Sequence, residues 1–121
     1  MNKLLIIDDD DQFRAFMSEA LSDKGYEVLT ASDGNEGLKC IADQHPDLVI
    51  TDIVMPEKEG VEVIMELKQS NNLIPIIAMS GGNLGNADSY LKMAKKLGAD
   101  AVISKPFLLD EIITEIKKLL D

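Results

Sequence analysis

Cysteine is nearly absent from this chain. Cys40 stands alone, so no internal disulfide can brace the fold, which fits a reducing compartment. As a helix residue at the edge of an apolar face, Cys40 is read as packing rather than as a redox thiol. Positive charge is scarce too. Against 22 Asp and Glu there are 12 Lys and Arg, a formal net charge of -10, and such a chain should avoid nucleic acid, whose phosphates attract basic patches. Long apolar runs are missing: residues 4–7 are too few for a signal-peptide core and run straight into four acids. No stretch approaches the length of a membrane span, so a soluble, cytoplasmic protein with no membrane partner is expected. The glycine-rich stretch 81–85 lacks the G-x-x-x-x-G-K-[ST] pattern, which argues against a nucleotide-phosphate cradle. Repeats, linkers and low-complexity segments are also lacking. The expectation at 121 residues is one domain, 1–121, without room for an output domain, unless the chain is a fragment of a longer protein.

What is present alternates. Leu4, Leu5, Ile6 and Ile7 form a short apolar run that reads as a strand buried on both faces, ending in Asp8, Asp9, Asp10 and Asp11. Phe13, Phe16, Met17, Ala20 and Leu21 then follow helical spacing up to Gly25. Val28, Leu29 and Thr30 suggest a second strand, and Asp33-Gly34 opens a helix carrying Leu38, Ile41 and Ala42. Leu48, Val49, Ile50 and Thr51 form a third strand that ends on Asp52, with Pro56 preventing its continuation. A helix with Val61, Ile64 and Leu67 inward follows and ends near Ser70, Asn71 and Asn72. A fourth strand over 74–79 leads to Ser80, and a helix with Ala87, Tyr90, Leu91 and Ala94 stops at Gly98. Ala101, Val102 and Ile103 form a fifth strand closed by Ser104, Lys105 and Pro106, before a last helix with Leu109, Ile112, Ile113, Ile116 and Leu120.

Strands alternating with helices predict an α/β fold with a parallel sheet covered on both faces. Five βα units make a flavodoxin-like doubly wound domain, with strand order 2-1-3-4-5, the leading topology. Ligands of such sheets bind outside the carboxyl ends of the strands, at the point where strand order reverses. That point falls between the first and third strands, so Asp8, Asp9 and Asp52 should meet there, with Ser80 and Lys105 arriving from the next two strand ends.

Three carboxylates in one crevice repel and need compensating cations. Magnesium prefers oxygen ligands and is commonly held by one or two carboxylates plus phosphate oxygens, while a lysine supplies a compact point charge. Taken singly, each of these residues is more simply a solvated acid or a surface lysine; all five at successive strand ends are not. With a metal and Lys105 in place, a carboxylate can attack phosphorus and form an acyl phosphate. Asp52, central and flanked by the others, is the best nucleophile, and Ser80 can donate its hydroxyl to a phosphoryl oxygen.

The ordered set resembles the response-regulator receiver domain of bacterial two-component signalling over its whole length. The matching residues are Asp8-Asp9, Asp52, Met55-Pro56, Gly60, Ser80 and Lys105-Pro106. The resemblance implies Asp52 as phosphoacceptor, with Asp9 a direct magnesium ligand and Asp8 acting through water. It further implies the Val54 backbone carbonyl as a ligand, Lys105 contacting the phosphoryl group, and Ser80 as the switching hydroxyl. The implied donor is a sensor histidine kinase or histidine phosphotransfer protein. The implied downstream partner docks on the fourth helix, fifth strand and fifth helix. Where the family usually carries an aromatic switch, three positions before the lysine, this chain has Val102. Val54 and Gly82 stand where the family tunes phosphate lifetime, and the loop through Gly85 is a plausible moving part. His45, the only histidine, is read as a loop residue rather than a relay residue. The methionines are read as core filling.

Three alternatives stand beside this reading. Asp8 and Asp10 form the Asp-x-Asp of magnesium-dependent aspartyl-phosphate phosphatases, but those enzymes usually continue to Thr or Val where this chain has Asp11. A flavodoxin-like electron carrier would need a hydroxyl- and glycine-rich phosphate loop after the first strand, where four aspartates stand instead. A phosphate-independent binding module would leave the acid cluster without a purpose.

Overall fold

The structure is a computed structural model that describes residues 2–53, 60–70, 73–81 and 87–120. Its elements alternate throughout: β1 Lys3–Ile7, α1 Asp11–Asp23, β2 Glu27–Ala31, α2 Gly34–Gln44, β3 Leu48–Asp52, α3 Gly60–Gln69, β4 Ile76–Gly81, α4 Ala87–Leu97, β5 Ala101–Lys105 and α5 Leu109–Leu120. All pairings are parallel and the order is β2-β1-β3-β4-β5, so the expected doubly wound topology is the one observed. β1 pairs with both β2 and β3, which places the reversal of strand order beside the carboxyl ends of β1 and β3.

Period-two alternation along the buried strands divides the core into two layers. Leu5, Ile7, Val49, Ile76 and Ala78 face α2, α3 and α4 through Ile41, Val63, Ile64, Leu67 and Ala94. Leu4, Ile6, Leu48, Ile50, Ile77 and Met79 face α1 and α5 through Met17, Leu21, Ile112, Ile113 and Ile116. Burying strands on both faces is what lets them read as continuous apolar runs in the sequence.

Helix ends follow their local chemistry. Asp10 caps α1, its side chain accepting from the amides of Gln12 and Phe13. Asp33 caps α2 by accepting from Glu36, and Ser32 reaches the Glu36 carboxylate at 2.6 Å. Gly25, just past α1, and Gly98, just past α4, have φ of 97° and 119°, the left-handed region that glycine enters without steric cost. His45 also has positive φ, at 51°, and its N–H donates to the carbonyl of Ile41, so the lone histidine closes α2.

Several expectations need correction. β4 begins at Ile76, two residues later than expected, and runs through Ser80 to Gly81. Pro75 has no N–H to give a ladder, and the first free amide, that of Ile76, is taken by the Asp100 carboxylate at 2.9 Å. β5 extends to Lys105 rather than stopping at Ile103. Phe16 is 60% exposed; the stripe Phe13–Met17–Leu21 faces the sheet and Phe16 sits about 100° from its centre at 3.6 residues per turn. Ala42 is likewise exposed, while Ile41 is buried. Val54, Met55, Pro56, Asn71, Asn72, Gly82 and Gly85 lie outside the described residues, and so do the expectations placed on them.

Candidate functional site

At the carboxyl edge of the sheet, the residues after β1, at the end of β3 and at the end of β5 converge. Leu4 and Ile6 point toward the α1/α5 layer, as do Leu48 and Ile50, so the same alternation carries Asp8 and Asp52 to that side. Ile103, in the same layer, does this for Lys105. Ser80 follows Ile76 and Ala78 of the opposite layer, against which Val102 also packs. The pleat thus sets the lysine and the serine on opposite sides of the Asp52 strand end.

Asp8, Asp9 and Asp52 each offer a carboxylate oxygen, and these atoms lie within 4.8 Å of one another. Asp8 is fully buried, Asp52 nearly so, and Asp9 is exposed. One cation reaches into the group: Lys105 Nζ lies 2.5 Å from Asp8 Oδ2 and 3.5 Å from Asp52 Oδ2. The first is a charge-assisted hydrogen bond; the second is at the outer limit of one and is chiefly Coulombic. Among the described residues, three carboxylates meet one ammonium there. Oxygen ligands, clustering and excess negative charge are together what a small hard divalent cation requires.

Asp8 is fixed from several directions. Its Oδ1 accepts from the Asp10 amide at 2.9 Å, and its own amide donates to the Ala31 carbonyl at 3.1 Å. Arg14 donates through Nη1 to the Asp8 carbonyl at 2.6 Å, and its Nη2 pairs with Asp11. Asp10 has a different employment: its Oδ1 accepts from two amides of α1, so this carboxylate holds the helix start and is not one of the clustered acids.

Asp52 is held through its backbone. Thr51 Oγ1 donates to the Asp52 carbonyl at 2.9 Å, and the following Ile53 amide donates to Met79 at 3.0 Å. Gly60 crosses directly behind it. A Cβ on Gly60 would stand 2.1 Å from the Asp52 carbonyl oxygen and 2.8 Å from the Ile53 Cα, so only glycine fits that approach.

Ser80 is fully buried, and among the described residues its hydroxyl has no hydrogen-bond partner. A buried hydroxyl in that condition carries a desolvation cost that a donor-seeking oxygen arriving at the site would relieve. Ser80 lies one residue beyond Met79, the register partner of Asp52.

The structure therefore brings Asp8, Asp9, Asp52 and Lys105 together and sets Ser80 beside them on the neighbouring strand; Val54 falls outside the described residues. Two contributors were not read from the sequence. Arg14 gives no motif signal six residues after Asp8. Phe13, counted as a core residue of α1, has its ring centroid 4.0 Å from Lys105 Nζ. Among the described residues, no helix is long and apolar enough to cross a membrane.

The family model for the response regulator receiver domain matches residues 4–117. The alkaline phosphatase synthesis transcriptional regulatory protein PhoP of Bacillus subtilis is 34% identical over 118 residues, covering 98% of this chain and 48% of the relative. The chain thus spans about half the length of such curated relatives. Among solved structures, the Francisella response regulator 1452 receiver domain superposes with a TM-score of 0.89 at 28% identity, covering 99% of this chain and 97% of that one. The chemotaxis protein CheY4 of Vibrio cholerae gives 0.86 at 30% identity, covering 99% of both chains.

Proposed function

The chain belongs to the response regulator receiver domain family of two-component signalling, and from that premise we propose that Asp52 is its phosphoacceptor. The observation that carries the proposal is the joint approach of three carboxylates and one ammonium at the ends of β1, β3 and β5. Asp8 and Asp9 would hold Mg2+ together with Asp52, Asp9 directly and Asp8 largely through water, with the Val54 carbonyl as a further ligand. Bound there, the ion would neutralise charge on the phosphoryl oxygens.

The donor is a phosphohistidine on a sensor histidine kinase or a histidine phosphotransfer protein. Its P–N bond breaks as a P–O bond forms to an Asp52 carboxylate oxygen, and the departing imidazole keeps the electron pair and takes up a proton. Phosphoryl transfer asks mainly for alignment and charge neutralisation. Lys105 supplies the second by moving from its ion pair with Asp8 toward a phosphoryl oxygen. Ser80 supplies its hydroxyl as a donor. In this way the chain assists its own phosphorylation and the later hydrolysis.

Those two movements, on opposite sides of the Asp52 strand, bias a two-state equilibrium that a downstream protein reads on α4, β5 and α5. Val102 replaces an aromatic on that face, so the readout rests on the Ser80 and Lys105 movements themselves. A net charge of -10 argues against direct nucleic-acid contact by this chain. A cytoplasmic location follows from the proposed donor. The test is uptake of a phosphoryl group from acetyl phosphate with Mg2+: the native chain is labelled and Asp52→Asn is not. Equal labelling of the two proteins would overturn the proposal.

A further inference from the structure

Resting on the reading of Lys105 as the phosphoryl-contacting ammonium, we propose that Phe13 is a positioning residue for the transfer, its ring face holding that ammonium toward Asp8 and Asp52. Lys105 Nζ stands 4.0 Å from the Phe13 ring centroid, 2.5 Å from Asp8 Oδ2 and 3.5 Å from Asp52 Oδ2. An ammonium has three N–H donors and no acceptor. The two carboxylates draw it from one side and the ring closes another. The ring's negative face attracts the cation but, unlike a third carboxylate, carries no formal charge to neutralise it. The lysine keeps its positive charge for oxygens arriving at Asp52.

The need for such a device lies in lysine itself. Its ammonium is strongly hydrated and rides on a flexible four-carbon stem, so an ammonium at a crevice mouth swings readily into water. Lys105 has a side chain only 20% exposed.

The ring is itself fixed. Phe107, two residues beyond Lys105, meets Phe13 edge-to-face, with centroids 6.1 Å apart and planes at 89°. The Phe13 amide is capped by Asp10 Oδ1 at 3.1 Å, and the next residue, Arg14, is tied to the Asp8 carbonyl. Both ends of the contact therefore belong to segments that carry the site: the start of α1 beside Asp8, and the end of β5.

Because Phe13 also packs against the α1/α5 layer, leucine and tyrosine are the informative substitutions. Leucine keeps apolar bulk without a π face; tyrosine restores the face. The full chain, with labelled lysine and without metal or phosphodonor, is first examined by NMR for the Lys105 ε-methylene protons, which a ring face shifts upfield. Acetyl phosphate with Mg2+ then gives the phosphorylation rate.

The upfield shift is expected in the native chain and in Phe13→Tyr, and is lost in Phe13→Leu. Phosphorylation of Phe13→Leu is expected to be about tenfold slower, with Phe13→Tyr within about twofold of native. A Phe13→Leu variant as fast as the native chain, or a Phe13→Tyr variant as slow as Phe13→Leu, overturns the proposal. So does a native Lys105 without the upfield shift, whatever the rates. A native chain that shows the shift yet accepts no phosphoryl group overturns the phosphoacceptor reading, and the positioning role falls with it.

Discussion

Lys105 carries charge balance at the site, because among the described residues its ammonium pairs with both Asp8 and Asp52. Lys105→Ala should retain Mg2+ binding, since the three carboxylates remain, but lose most signalling. Magnesium titration followed by NMR alongside a phosphotransfer assay checks both halves, and normal signalling by the variant would refute the role given to the lysine. Gly60 makes a second residue-scale test. A methyl group there would meet the Asp52 carbonyl, which is backbone and cannot turn aside. Gly60→Ala should therefore cost about 1–3 kcal/mol by overpacking, read as a lower urea midpoint at unchanged slope. Among the described residues, Cys40 has a displaced titration. Burial pushes its thiol above the ordinary value, and the carboxylates of Asp43 and Glu36 add to this while Lys3 opposes it. The folded chain then holds the Cys40 proton after the unfolded chain has released it. Stability is constant with respect to this group below the ordinary thiol pKa of 9.0 and falls as pH rises past it. Alkylation of native Cys40 at pH 8 should be slow and should become rapid on unfolding; equally fast alkylation of both states would contradict this placement.

Among the elements, α1 shows both what a sequence reveals and what it withholds. Its existence follows from the spacing of Phe13, Met17 and Leu21, and its stop from Gly25. The contact of Phe13 with Lys105 does not follow, because it depends on where the end of β5 lies, and that is settled by tertiary packing. β4 starts two residues later than its apolar run suggests: Ile74 is apolar enough for a strand, but Pro75 cannot donate and the Asp100 carboxylate takes the Ile76 amide. The acids are legible because each follows or ends a strand whose apolar run is plain, which puts Asp8 and Asp52 at the sheet edge. Asp10, next to them in sequence, was distinguished only by its bonds to the α1 amides. That gives an element-scale prediction. Asp10→Ala should lower stability by about 0.5–2 kcal/mol through loss of the cap, measured by urea unfolding. It should leave labelling at Asp52 in place, whereas an Asp8/Asp10 phosphatase would lose its general acid and its turnover.

At the scale of the whole molecule, a parallel sheet with its order reversed between β1 and β3 gathers, at one edge, residues scattered from Asp8 to Lys105. Gathering the three carboxylates also gathers their mutual repulsion, which a bound cation would relieve. A divalent cation bound to the folded chain and not to the unfolded one should raise stability, by about 2.7 kcal/mol at a hundred times its dissociation constant. Thermal unfolding with Mg2+ at fixed ionic strength checks this, with Asp9→Asn expected to show a smaller rise; no rise in the native chain would remove the metal from the account. The most direct measurement is the location of the acyl phosphate itself. After phosphorylation with acetyl phosphate and Mg2+, reductive trapping and peptide mapping should find the modification on Asp52, in the peptide that carries the end of β3. A modification found on Asp8 would contradict the phosphoacceptor assignment and point instead to a phosphatase chemistry built on the end of β1.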